Sequence, residues 1–166
     1  MSKAKKAGII LLIFFVIIFS GHLYITFVYM RTPEYIHEHL TPPYEQEAEE
    51  FFRENAPALM KLVELKAEIE PGLLYRFTFH YPQYNSAGIP PELYATLLAL
   101  EQHNPSSDYT ISIYKEEITV QIKSGTNFDV YLFYGERDFH GMNPEGDKGT
   151  ILEDGWEIHA PFVVRG

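Results

Sequence analysis

Cysteine is absent from all 166 residues of the chain. Disulfide frameworks, cysteine zinc centres, a lipobox anchor and thiol nucleophiles are therefore excluded together. Cations are scarce beyond the first few residues: Lys3, Lys5 and Lys6 precede the apolar N-terminal run, and the other ten Lys and Arg stand against all 23 acidic residues. Neutralising phosphates requires grouped Lys and Arg, so no nucleic-acid partner is expected. Also missing are a Gly-x-Ser-x-Gly nucleophile elbow, a glycine-rich phosphate loop ending in Lys-Ser or Lys-Thr, and a Gly-x-Gly-x-x-Gly turn. There is no internal repeat and no low-complexity tract. Motif alone assigns no catalytic, cofactor-binding or metal-binding residue.

What is present begins with the N-terminus. Residues 8 to 30 carry no charged side chain apart from the titratable His22, and Ile9 to Phe19 is unbroken apolar chain. At a rise of ~1.5 Å per residue, such a helix crosses a hydrocarbon core of ~30 Å with every backbone polar group satisfied internally. Tyr24, Tyr29 and Arg31 suit the distal interface. A cleaved secretory signal is the competing reading, with Ser20-Gly21 near a cut site. Against it stand the bulky Phe19 and the apolar character that resumes from Leu23 to Val28. His22 has no polar partner in the helix and reads as a neutral side chain. The expected organisation is a cytoplasmic tail over 1–7, a transmembrane signal anchor over 8–30 that contacts the lipid bilayer, a juxtamembrane linker over 31–43, and an extracytoplasmic domain over 44–166. Orientation follows from the three lysines, which hold the short N-terminus in the cytoplasm.

The linker is expected to be irregular because of Thr32-Pro33 and Thr41-Pro42-Pro43. Thr41 is expected to cap a helix whose first turns hold Glu45, Glu47, Glu49 and Glu50. Its apolar face is Tyr44, Ala48, Phe51, Phe52, Ala56, Leu59 and Val63. Pro57 predicts a break near Asn55, with a second helical piece ending at Glu70-Pro71-Gly72. From Leu73 the period becomes two: Leu74, Arg76, Thr78 and His80 on one face, Leu73, Tyr75, Phe77 and Phe79 on the other, ending at Pro82. A short helix after Pro90-Pro91 buries Leu93, Leu97, Leu98 and Leu100. Tyr109–Tyr114, Ile118–Lys123 and Phe128–Tyr134 read as strands joined by hairpins. A last hairpin turns through Glu153-Asp154-Gly155 between Thr150–Leu152 and Trp156–Ile158. The fold class is α+β: an N-terminal transmembrane helix, then an antiparallel sheet with two or three helices packed on one face.

Four groupings bear on chemistry. His37-Glu38-His39 has metal-ligand side chains, but zinc wants a third and fourth ligand, and a solvated linker explains the tripeptide. Asn143 to Gly149, with Asp154, alternates oxygen donors in the manner of an EF-hand loop; Lys148 stands where that loop needs glycine, and an ordinary polar loop accounts for it. Asp138, His140, Glu157 and His159 form a constellation only if the last strand pairs beside the loop Gly135–Gly149. If His140 and His159 are plain surface or sheet residues, each is expected to be replaceable at little cost in stability. The fourth grouping is compositional: twelve Tyr in a chain that is 15% aromatic. Tyr75, Tyr81, Tyr84, Tyr94, Tyr109, Tyr114, Tyr131 and Tyr134 are candidates for a recognition surface, against the alternative that they fill a small sheet.

These features lead to an anchored module that binds a protein partner for envelope assembly, scaffolding or inhibition. The alternatives are a tethered hydrolase or metal-dependent enzyme using Asp138, His140, Glu157 and His159, and a sensor of small ligands or ions working through Gly135–Gly149. No cofactor is implied.

Overall fold

A computed structural model of the chain describes residues 3–125, 128–135 and 149–161. Its contacts divide into two units, Met1–His39 and Leu40–Gly166.

In the first unit, helix α1 runs from Lys3 to Phe27. The stretch Ile9–Arg31 is long and apolar enough to cross a membrane, and none of the residues in its most apolar window is buried. The expected irregular linker is corrected here, because Tyr29–Arg31 forms a 3-10 turn and Pro33–His39 a short helix, α2. The reason lies in Thr32-Pro33. Proline at the first helical position gives up an N–H that has no intrahelical partner anyway. The Thr32 hydroxyl accepts from the Tyr35 N–H at 3.3 Å, and the Thr32 carbonyl from the Ile36 N–H at 3.1 Å.

The second unit begins with helix α3, Pro42–Lys66, unbroken through Pro57. No break occurs near Asn55 because Pro57 and Arg53 both lie on the exposed side, where water can hydrate the Arg53 carbonyl that lacks its donor. Meanwhile Phe51, Phe52, Asn55, Leu59 and Leu62 bury a stripe that runs straight past the proline. Each fully buried side chain of this size contributes about 1.5–3 kcal/mol, enough together to outweigh a proline penalty of about 3 kcal/mol. The buried stripe takes in Leu62 and Leu65 in place of the half-buried Val63. Thr41 does not cap by accepting a backbone N–H; its hydroxyl donates to Glu45 Oε1 at 2.6 Å. Pro42 and Pro43 have removed two of the N–H groups that a cap would serve.

Strand β1 (Tyr75–Thr78) follows, then helix α4 (Pro91–His103) and strands β2 (Thr110–Ile113), β3 (Glu117–Ser124), β4 (Asp129–Gly135), β5 (Thr150–Ile151) and β6 (Trp156–His159). They form one antiparallel sheet in the order β1-β2-β3-β4-β6-β5. Hairpin chemistry is as the residue types require. Gly125 donates to the Phe128 carbonyl at 2.7 Å, and a Cβ there would stand 2.8 Å from the Phe128 ring. Gly155 has φ +81°, closing the β5–β6 turn.

Register sorts the side chains. Phe77, Ile111, Val120, Leu132 and Ile158 lie in one row across five strands, all buried on the face that α3 covers. On α4, Leu93, Leu97 and Leu100 are buried and Leu98 is half-buried. A side-chain amide pair ties the two helices: Asn104 Nδ2 donates to Asn55 Oδ1 at 3.1 Å, while Asn55 Nδ2 donates to the Phe51 carbonyl at 2.8 Å. Buried Asn55 is thereby satisfied in an otherwise apolar layer. Two helices and a six-stranded sheet behind an apolar N-terminal helix make this an α+β protein.

Candidate functional site

The sheet's second face separates into two regions. Across β1 to β4 the outward rows are Arg76, Ser112, Thr119 and Thr78, Thr110, Gln121, Tyr131. With Tyr114 and Tyr84 they line an open concavity of about 600 Å³. Alternation put them there: the partners of these residues along each strand are apolar and buried, which leaves hydroxyls, an amide and a guanidinium facing out. Thr110 donates to Thr78 Oγ1 at 3.2 Å, and the Tyr131 hydroxyl donates to the buried Asp129 carboxylate at 3.0 Å. These bonds fix the floor.

Tyr84 arrives from outside the sheet, on the 3-10 turn Pro82–Tyr84. The turn is held by the segment after it. Ser86 donates its N–H to the Arg76 carbonyl, its hydroxyl accepts from the Arg76 N–H, both at 2.8 Å, and Asn85 Oδ1 accepts from the Thr78 N–H at 2.7 Å. The outward backbone groups of β1 are thus occupied, and this sheet edge is closed to a further strand. Sequence reading placed Asn85-Ser86 in a loop and missed this role.

At the other end of the same face the surface is buried. His159 is 1% exposed, 2.9 Å from Glu157 Oε2, with the Phe133 ring edge-on at 5.9 Å and Gly149 against its imidazole. Two members of the expected constellation therefore do meet. Asp138 and His140 lie outside the described residues, as does most of the loop Asn143–Gly149 offered as an oxygen-ligand site. The imidazole is enclosed, and one of its nitrogens lies within hydrogen-bond distance of the Glu157 carboxylate. His159 stands on a strand but is buried, so the exposed position on which a cheap replacement is conditioned is not the one it occupies. His39 stands on a helix, not on an extended linker, with its ring 4.6 Å from that of Tyr35. Among the described residues no group of three or more His, Asp or Glu is placed to hold a metal ion.

The eight tyrosines separate by face. Tyr84, Tyr114 and Tyr131 line the concavity. Tyr109 is buried under α3, its ring edge-on to Phe51 at 5.0 Å and its hydroxyl donating to Glu47 at 2.7 Å. Burial, and then the Glu47 carboxylate, push its phenol well above the ordinary range. Tyr134 packs on Trp156 at 5.3 Å, and Tyr75 pairs with buried Ile113 on the helix side. Tyr94 lies edge-on to Phe77 and Tyr81 against Tyr84, both partly exposed. Three of the eight thus line one concavity.

The chain matches no protein-family model, no curated protein and no solved structure.

Proposed function

We propose that the chain is a membrane-anchored recognition module: α1 tethers the α+β domain on the extracytoplasmic side, and the open sheet face binds a protein partner in envelope assembly, scaffolding or inhibition. One observation carries the reading. Among the described residues helices cover one face of the sheet, and on the other Tyr84, Tyr114 and Tyr131 surround a concavity with Arg76. Tyrosine and arginine are the residue types that concentrate binding energy at interfaces. The closed β1 edge favours docking across the face over strand addition.

Two measurements bear on this. A reporter fused after Gly166 is expected to be active only outside the cytoplasm, with the protein resisting carbonate extraction and keeping its first 30 residues. A mature N-terminus at Gly21 or His22 would convert the anchor into a cleaved signal. For the binding face, a photo-crosslinking residue at position 119 in native membranes is expected to capture a discrete protein. Replacing Tyr84 and Tyr131 with Ala should cut the yield about tenfold or more, since a truncated aromatic anchor typically costs 2 kcal/mol or so. Undiminished capture with both tyrosines gone would refute the assignment of this face.

A further inference from the structure

The charge pattern of the concavity points to the chemistry of its occupant. The chain is acidic, 23 carboxylates against 13 cations, yet no Asp or Glu is among the nine residues lining this site. Arg76 is the only charge there, it is exposed, and its guanidinium makes no ion pair among the described residues. Two other cations do pair, exposed Arg53 with Glu49 at 2.7 Å and half-buried Lys61 with Glu92 at 3.1 Å, while exposed Lys123 stands over the Tyr44 ring. Among the described residues no Asp or Glu lines the hollow, and the buried Asp129 carboxylate beneath it is bonded by the Tyr131 hydroxyl. A guanidinium without an ion pair there is complementary to a carboxylate, which it can hold through two parallel N–H bonds.

The remaining lining decides what carries that carboxylate. Thr78, Ser112, Thr119, Tyr84, Tyr114 and Gln121 carry groups that both donate and accept, while Thr110 and Tyr131, whose hydroxyl protons go to Thr78 and Asp129, can still accept. No Leu, Ile, Val, Met or Phe is among them. A helical ligand satisfies its own backbone and needs an apolar groove, which this surface does not provide. An extended segment has the opposite need, because its N–H and C=O groups alternate and require partners of both kinds. Resting on the recognition-module reading above, we propose that the concavity binds an extended acidic peptide segment of the protein partner, one carboxylate seated on Arg76 and the backbone held by the hydroxyl and amide groups across β1 to β4.

The net negative charge of the domain does not forbid this. Glu45, Glu49 and Glu50 belong to α3, on the opposite face of the sheet. Glu117 and Glu157 share the outward face by register but are not among the lining residues, and exposed charges are screened beyond ~8 Å at physiological salt.

The test uses the full chain in nanodiscs of uncharged lipid and fluorescent eight-residue peptides of alternating Glu and Ser, with Gln replacing Glu in the control. The Glu peptide is expected to bind at 50 mM salt and the Gln peptide more weakly by about tenfold or more, the usual worth of a hydrogen bond to a charged group. Arg76→Gln should remove that difference, Arg76→Lys should keep part of it, and neither should alter the thermal melt, because Arg76 is exposed. Equal binding of both peptides, or a preference untouched by Arg76→Gln, overturns the proposal. So does Arg76-dependent binding of trigalacturonate with none of the peptide, which would give the site to an acidic sugar. If both peptides fail while the position-119 crosslinker still captures a protein, the acidic-segment inference falls and the recognition module stands.

Discussion

Trp156→Ala is expected to lower the unfolding free energy by about 3–5 kcal/mol, the range for removing a large aromatic side chain from a packed core. Trp156 is fully buried, wedged between Phe52 of α3 at 6.2 Å and Tyr134 of β4 at 5.3 Å. It stands on β6, the strand that connects the meander to β5, so the cavity would open where helix, central strands and terminal hairpin join. Domains of this size hold about 5–15 kcal/mol in all. Urea denaturation of residues 41–166 followed by circular dichroism measures the loss. Trp156→Phe, which keeps most of the ring volume, should recover more than half of it. A midpoint moved by less than a quarter of the wild-type value in Trp156→Ala would mean that this junction is not part of the cooperative core.

The second large effect is expected at His159. Replacing it with Ala removes a buried ring from between Phe133 and Gly149 and strips Glu157 of a 2.9 Å partner. Loss of packing and an under-satisfied carboxylate together cost about 2–4 kcal/mol. His159→Gln, which keeps a donor of similar reach, should lose less. The accompanying readout is partner capture through position 119, which a purely structural His159 leaves unchanged in whatever fraction remains folded. Unchanged stability with lost cellular function would revive the catalytic alternative, in which His159 works on a substrate with Glu157.

Several elements were legible because their cause is local. Alternation alone gave β1 to β4 and the face on which Phe77 and Phe79 are buried. Glu153-Asp154-Gly155 announced its turn through the residue that tolerates positive φ. Where reading failed, a local rule met a non-local one. Pro57 signals a break, but the break does not occur because Phe52 and Leu59, on either side of it, are held by the same sheet. Thr32-Pro33 reads as a discouragement to regular structure, although the same pair starts a helix when threonine accepts from the third residue on.

The sequence by itself determined the apolar N-terminal helix, the α+β class and the order of the strands and of α4, because each depends on periodicity, length or turn chemistry within a local stretch of chain. Only the tertiary structure decided which polar residues share a surface. Arg76, Ser112 and Thr119 are neighbours through strand register, Tyr84 joins them because Asn85 and Ser86 bond the β1 edge, and His159 is enclosed because β6 lies beside β4. Pairing between strands is fixed by contacts far apart in the chain, and no count of hydroxyls or tyrosines along it contains that information.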